Sequence, residues 1–314
     1  MGKISACAAL CLVAAGTNAH VSVPASGFTP VWTSFADSLD ESRRLFQVAR
    51  RAFDAKQYEA AADTLTRAAQ LNPNDSGISL WLGNALAQQA MRASLPKKLL
   101  LSSRIRDAWR RAIALDPMNI DARENLIAFY ESVPAFAGGG REQAIAEAKQ
   151  AQTVLPYWGT VLLANVLERG NDSTAALAAY ASAKRYPEDS AGRAFEGWIY
   201  TLSQFARYQE VFVAIDARLK NSPNDAIALA YLARTAARSA MRLDDGLSAL
   251  TRAERIQLPP FLHFDADFGM KVYRGKLLEA KGDLVGAASA YRAALARSPK
   301  DESIARDLAR VTRP

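Results

Sequence analysis

The sequence predicts an all-α fold: an array of about seven helix-turn-helix pairs closed by a C-terminal helix. From Ser38 onward, apolar residues recur at three and four spacing, with no β-branched alternation. A longer frame recurs on top of that period. It sets a small or apolar residue, a second four on, a third three further, and a proline about five beyond. It reads Ala61, Leu65, Ala68, Pro73, then Ile105, Trp109, Ala112, Pro117, then Ala144, Ala148, Ala151, Pro156. Looser copies follow at Ala176, Tyr180, Ala183, Pro187; Val211, Ile215, Arg218, Pro223; Gly246, Leu250, Ala253, Pro259; and Ala287, Tyr291, Ala294, Pro299.

Taken in order, residues 1–19 read as an export signal. Met1-Gly2-Lys3 is a short basic start, Ile4 to Ala15 is apolar, and Thr17-Asn18-Ala19 ends on a small residue. A run of about a dozen residues is too short to span a ~30 Å bilayer as a helix, so cleavage is expected over anchoring. Cys7 and Cys11 both lie in that run, and Leu10 disfavours lipid attachment at Cys11. The mature chain would then hold no thiol and no disulfide. Losing Lys3 lowers the formal charge from +7 to about +6. That is modest for a chain of 314 residues and falls short of the basic stripe of a nucleic-acid reader. Residues 20–37, with Pro24, Ser26, Gly27 and Pro30, read as a linker, and 38–314 as the array.

Each frame is the second helix of a pair. A small residue lets a neighbouring helix approach closely, the residue one turn on fills the gap beside it, and the proline ends the helix for want of an N–H. First helices precede the frames, as in residues 79–89 (SLWLGNALAQQ) and 124–131 (ENLIAFYE). One pair cannot bury its apolar faces alone, whereas a stack can. ESIARDLARV, residues 302–311, is the closing helix.

The frames step by 44, 39, 32, 35, 35 and 41 residues against a regular repeat of about 34. Extra residues therefore sit around MRASLPKKLLLSS (91–103), ESVPAFAGGGRE (131–142) and PPFLHFDADFG (259–269). Three successive glycines suggest a phosphate cradle, but Arg141-Glu142-Gln143 follows where a phosphate loop needs Gly-Lys-Ser/Thr. The expectation is a wide turn with positive backbone angles. The first two insertions fall on one edge and are expected to form a lip. Around the first, Lys97, Lys98, Arg104, Arg106 and Arg110, with Arg92 and Arg111, are answered only by Asp107, which predicts a basic edge patch for an acidic partner or an anionic envelope surface.

His263, with Asp265 and Asp267 beside it, is too sparse a set for a metal and reads as the start of a helix. Asp244-Asp245 and Asp40-Glu41 read as solvated caps, and no cofactor, nucleophile elbow or Walker loop is indicated. Asn74 and Asn171, each in Asn-Asp-Ser, fall in turns.

Leu82-Gly83 with Leu86, Leu126 with Tyr130, and Gly275 with Leu278, together with the frames, resemble the tetratricopeptide repeat over about residues 42 to 300. Arg218 and Gly246 depart from its pattern. The Pro134 to Gly138-Gly139 turn is similar to one in exported bacterial repeat proteins of this kind. The resemblance implies a right-handed superhelical solenoid whose first helices line a concave groove. The residue after the Leu-Gly place would point into it: Arg50, Asn84, Ala128, Asn165, Tyr200, Arg234 and Lys276, with Glu124, Tyr231 and Tyr273 nearby. Asn84 and Asn165 have the amides to hold an extended peptide backbone, and Arg234, Arg238 and Lys276 would make the far end positive. The Lys and Asn set that clamps a terminal carboxylate in some relatives is not reproduced. The function so implied is a non-catalytic envelope scaffold binding a protein or peptide. Its rivals are a helical-repeat RNA binder, opposed by export, modest charge and Glu124, and an enzyme or its regulatory subunit, suggested only by His263.

Overall fold

The computed structural model describes residues 31–264 and 266–313, and among them every regular element is helical. Seven antiparallel pairs follow one another: α1 (Val31–Asp54) with α2 (Tyr58–Leu71), α3 (Ser76–Met91) with α4 (Leu95–Leu115), α5 (Ile120–Ser132) with α6 (Arg141–Val154), and α7 (Pro156–Arg169) with α8 (Ser173–Ala183). Then come α9 (Arg193–Gln204) with α10 (Tyr208–Asn221), α11 (Ala226–Ser239) with α12 (Leu243–Ala253), and α13 (Ala266–Ala280) with α14 (Leu284–Arg297). α15 (Glu302–Val311) closes the stack. The export signal and the first part of the linker lie outside the described residues. Residues 31–37 are not linker. They belong to α1, because Trp32, Phe35 and Leu39 carry the three and four spacing back past Ser38.

The frame residues build the core as expected. Ala61, Leu65, Ala68, Ile105, Trp109, Ala112, Ala144, Ala148, Ala151, Tyr180, Ile215, Leu250, Tyr291 and Ala294 are all buried. Burying a leucine such as Leu65 contributes about 2 kcal/mol. Arg218 fits by pairing with Asp225 at 2.7 Å and lying over the Phe195 ring. Gly246 fits because a Cβ there would meet Ala236 Cβ at 2.7 Å, so its absence lets α12 close on α11.

Each frame proline is followed two residues later by the N-cap of the next helix in four of the units. Asp75, Asn119, Asp225 and Asp301 each accept a hydrogen bond from the backbone N–H three residues on. That oxygen satisfies one of the orphan donors of the helix start, so stop and start are coded together.

Odd-numbered helices touch their next-but-one neighbours: α1 meets α3, α5 meets α7, α7 meets α9, α9 meets α11 and α11 meets α13. No even-numbered pair does so to that extent among the described residues. The odd helices therefore line the inner side of the curve.

The insertions take three different forms. The first is not a loop but extra turns at the start of α4, which is 21 residues long. The second is the glycine turn. Gly138 (φ 92°) and Gly140 (φ 141°) hold backbone angles open mainly to glycine, and the Gly140 N–H donates to Tyr130 O at 2.7 Å. The third folds back onto the inner face.

Candidate functional site

The inner face has two differently built halves. In the first, the Arg50 guanidinium lies 3.6 Å from the Trp81 ring centroid. Asn84 Oδ1 accepts from the Trp109 indole N–H at 2.9 Å and from Asn125 Nδ2 at 3.0 Å, so this asparagine ties α3 to α4 and α5. Its carbonyl is occupied within the fold, leaving a donor rather than the two-way amide the sequence suggests. Asn165 is held in the fold as well, its side-chain amide lying against the Tyr180 hydroxyl. Ala128, in the same row, is exposed.

Acids occupy the middle. Glu124 of α5 has its pKa raised by burial, against the pull of Arg193 and Arg169. Glu168 of α7 is also raised by burial, against hydrogen bonds from Tyr180 and Thr201 and the nearby His263. The Tyr180 hydroxyl donates to Glu168 at 2.9 Å, and burial beside that carboxylate pushes the phenol's pKa far up.

In the second half the centre is Glu196 of α9, fully buried. Its carboxylate accepts from the Tyr231 hydroxyl, from the backbone N–H of His263 at 2.9 Å, and meets His263 Nδ1 at 2.6 Å. The imidazole stacks on Tyr200 at 4.3 Å between centroids. Burial opposes the charge on His263, but the hydrogen bond and charge of Glu196, with Glu168 behind, outweigh it and raise its pKa. Arg234 of α11 is buried beneath this arrangement, donates to Ser203 Oγ at 3.2 Å, and lies over Tyr200, Tyr231 and Phe264.

The row therefore lies on the helices expected of it, but not all of it is open. His263 and Phe264 cover Tyr200 and Arg234, so Arg234 does not make the far end positive. Arg238 and Lys276 remain exposed. His263 is no isolated helix start either, because it reaches back 67 residues to Glu196. The side chains of Asp265 and Asp267 lie outside the described residues, and among the described residues no group of three His, Cys, Asp or Glu is placed to hold a metal.

The basic edge is divided. Because the insertion is helical, residues turn about 100° per step, which puts Lys97 with Arg104 on one side of α4 and Arg106 with Arg110 on the opposite side. Lys97 pairs with Glu59 of the preceding unit at 3.2 Å and Arg106 with Asp107 at 2.9 Å. Asp107 is thus not the sole answering acid. Lys98 flanks a cleft of about 500 Å³ where the two insertions meet, lined by Met91, Leu95, Leu99, Trp109 and Phe136 and continuous with the inner row through Asn125 and Ala128. The lip is real, but its floor is apolar. Among the described residues no helix is long and apolar enough to cross a membrane.

Glu168, Glu196 and the His263 reach were not read from sequence. A signal for one was present: Glu196 interrupts an otherwise apolar and aromatic stretch, Ala194-Phe195-Glu196-Gly197-Trp198, on a helix expected to be half-buried.

No family model matches the sequence, nor does any curated protein. Solved structures do match in shape. A tetratricopeptide repeat protein from Parabacteroides merdae ATCC 43184 is 16% identical with a TM-score of 0.57, over 87% of this chain and all of that one. PilW, a type IV pilus biogenesis factor, is 14% identical with a TM-score of 0.42, over 87% of this chain and 98% of that one. PilF of Pseudomonas aeruginosa is 12% identical with a TM-score of 0.48, over 88% and 99%. Repeat frame, paired helices and the first of these likenesses agree: the chain has the tetratricopeptide-repeat fold.

Proposed function

We propose that this protein is a non-catalytic interaction scaffold, exported to the bacterial cell envelope, that holds an extended segment of a protein partner along its inner face. The observation that supports this reading most is the inner face itself. Successive odd-numbered helices present Asn84, Asn125, Ala128 and Asn165 to one continuous surface, with side chains braced from behind by Trp109 and Tyr180. Braced amides donate to a backbone at low entropic cost, which suits recognition of a main chain. Export rests on the leader read in residues 1–19. The RNA-binding rival is disfavoured by Glu124 and Glu168, part-buried carboxylates on the face a phosphate backbone would follow.

Ala128→Arg tests the reading. It adds bulk to the inner face without touching the core, so the fold should be kept while capture of envelope partners falls by about tenfold or more. Replacing Asn84 is a poorer probe, because it strands the Trp109 indole N–H at a cost of about 1 kcal/mol or more. Unchanged capture by the folded Ala128→Arg protein counts against the groove. A shift of bulk RNA at moderate salt would favour the rival.

A further inference from the structure

Residues 258–264 (Leu-Pro-Pro-Phe-Leu-His-Phe) cross the inner face between α12 and α13 in the place where a bound segment would lie. Leu258, Phe261, Leu262 and Phe264 pack part-buried on the core formed by α9 to α13. Phe261 sits under the Arg193 guanidinium, which also covers Trp158. Phe264 meets Tyr231 and Tyr273 edge-on at 5.5 and 5.6 Å. Between these two aromatics, His263 offers Glu196 both its backbone N–H and its ring. Among the described residues, no backbone-to-backbone hydrogen bond ties 257–264 to the rest of the fold. Pro259 and Pro260 have no N–H to give. This segment is held as a ligand is held, by side chains in pockets and one carboxylate, and not as a helix or strand is held.

We propose that the inner face of α9, α11 and α13 is a second recognition site, specific for an extended segment carrying a histidine or another cationic side chain between two aromatic residues, and that residues 258–264 are its resident occupant, which a partner segment of that chemistry displaces. The proposal rests on the inner-face reading above and adds the ligand class. Charge complementarity supports it. Glu196 is buried, with Glu168 behind it, and the Arg234 guanidinium is turned to Ser203 and the aromatic rings, while Arg193 lies over Trp158 and Phe261. A cation brought by a ligand is what such a carboxylate takes. The groups facing the imidazole are Glu196 and Tyr200 of α9, Glu168 of α7, Arg234 of α11 and Phe264 beside it.

The test uses the full chain with residues 258–264 replaced by a Gly-Ser linker of equal length, and a fluorescently labelled Leu-Pro-Pro-Phe-Leu-His-Phe peptide read by anisotropy. The linker variant should stay folded and bind the peptide at least about tenfold more tightly than the unaltered chain. Alanine for the peptide histidine, or Glu196→Gln in the linker variant, should each cost about tenfold. No binding by the folded variant, or binding indifferent to Glu196→Gln, overturns the proposal. Loss of the fold on linker replacement also overturns it, since the segment would then be core. A second measurement keeps the segment in place: His263→Ala should speed exchange of the residue-263 amide, which is bonded to Glu196, while α9 and α11 stay protected, and a loss of protection in all three would contradict the proposal. Ala128 lies on α5, away from this site. Capture lost through Ala128→Arg with no peptide binding here sinks this proposal alone, while the reverse pattern sinks the first-half groove.

Discussion

Arg123 shows how a single residue is held in such a stack. It is almost fully buried in α5, its Nε donates to Pro117 O at 3.1 Å, and its guanidinium pairs with Glu147 of α6, itself nearly buried. Two charges removed from water together are near break-even, but removing one leaves the other buried and unpaired. Glu147→Ala should therefore cost about 3 kcal/mol or more, read as a fall in the urea midpoint at unchanged m-value. Arg123→Met with Glu147→Leu should recover most of that loss. Neither residue drew notice in the sequence, because an Arg and a Glu 24 residues apart look like two solvated charges until the helices are paired. The small residues of the frame were legible by contrast, since close helix approach leaves no alternative at Ala61, Ala112 or Ala144.

At the scale of the element, the segment 258–264 carries the clearest pH dependence. The pKa of His263 in the fold is above its ordinary value near 6.5, so its contribution is full below about 6.5 and is lost as pH rises through the higher folded value. Protease cleavage within 255–264 should accelerate from pH 6 to pH 8.5 relative to cleavage elsewhere, and His263→Ala should remove most of that difference. An equal change at all sites would place the pH effect elsewhere. The helices themselves were legible because each frame proline marks a stop. The start was equally coded, in the Pro-X-Asp or Pro-X-Asn run at Asp75, Asn119, Asp225 and Asp301, but the capping oxygen shows its role only once the turn geometry is known. Extra residues were located by counting; their form was not. Counting cannot tell the added helical turns of α4 from a loop, or foresee that 259–264 reach back to α9.

Across the whole molecule, the buried side chains fall into clusters strung along the chain. One runs from α1 into α7, a small one joins α7 to α9, another spans α9 to α13, and the last covers α13 to α15. A stack held by neighbour contacts has stability that is local in its parts. Leu65→Ala, in the first cluster, removes a fully buried side chain and should cost about 3 kcal/mol. Hydrogen exchange should show that loss in α1 to α4 and leave α11 to α14 unchanged. Uniform loss would mean a single cooperative unit. The architecture was legible because repetition multiplies a weak local signal, whereas the acidic centre at Glu124, Glu168 and Glu196 occurs once and is assembled from three helices of three different units.

Recognition on the inner face can be read by placing a photo-reactive residue at Ala128, exposed on the inner row, or at Arg67, exposed on the outer helix α2, and irradiating each protein in its native cells. A discrete cross-linked partner is expected from position 128 and none from position 67. The same adduct from both positions, or one from position 67 alone, would contradict recognition on that face.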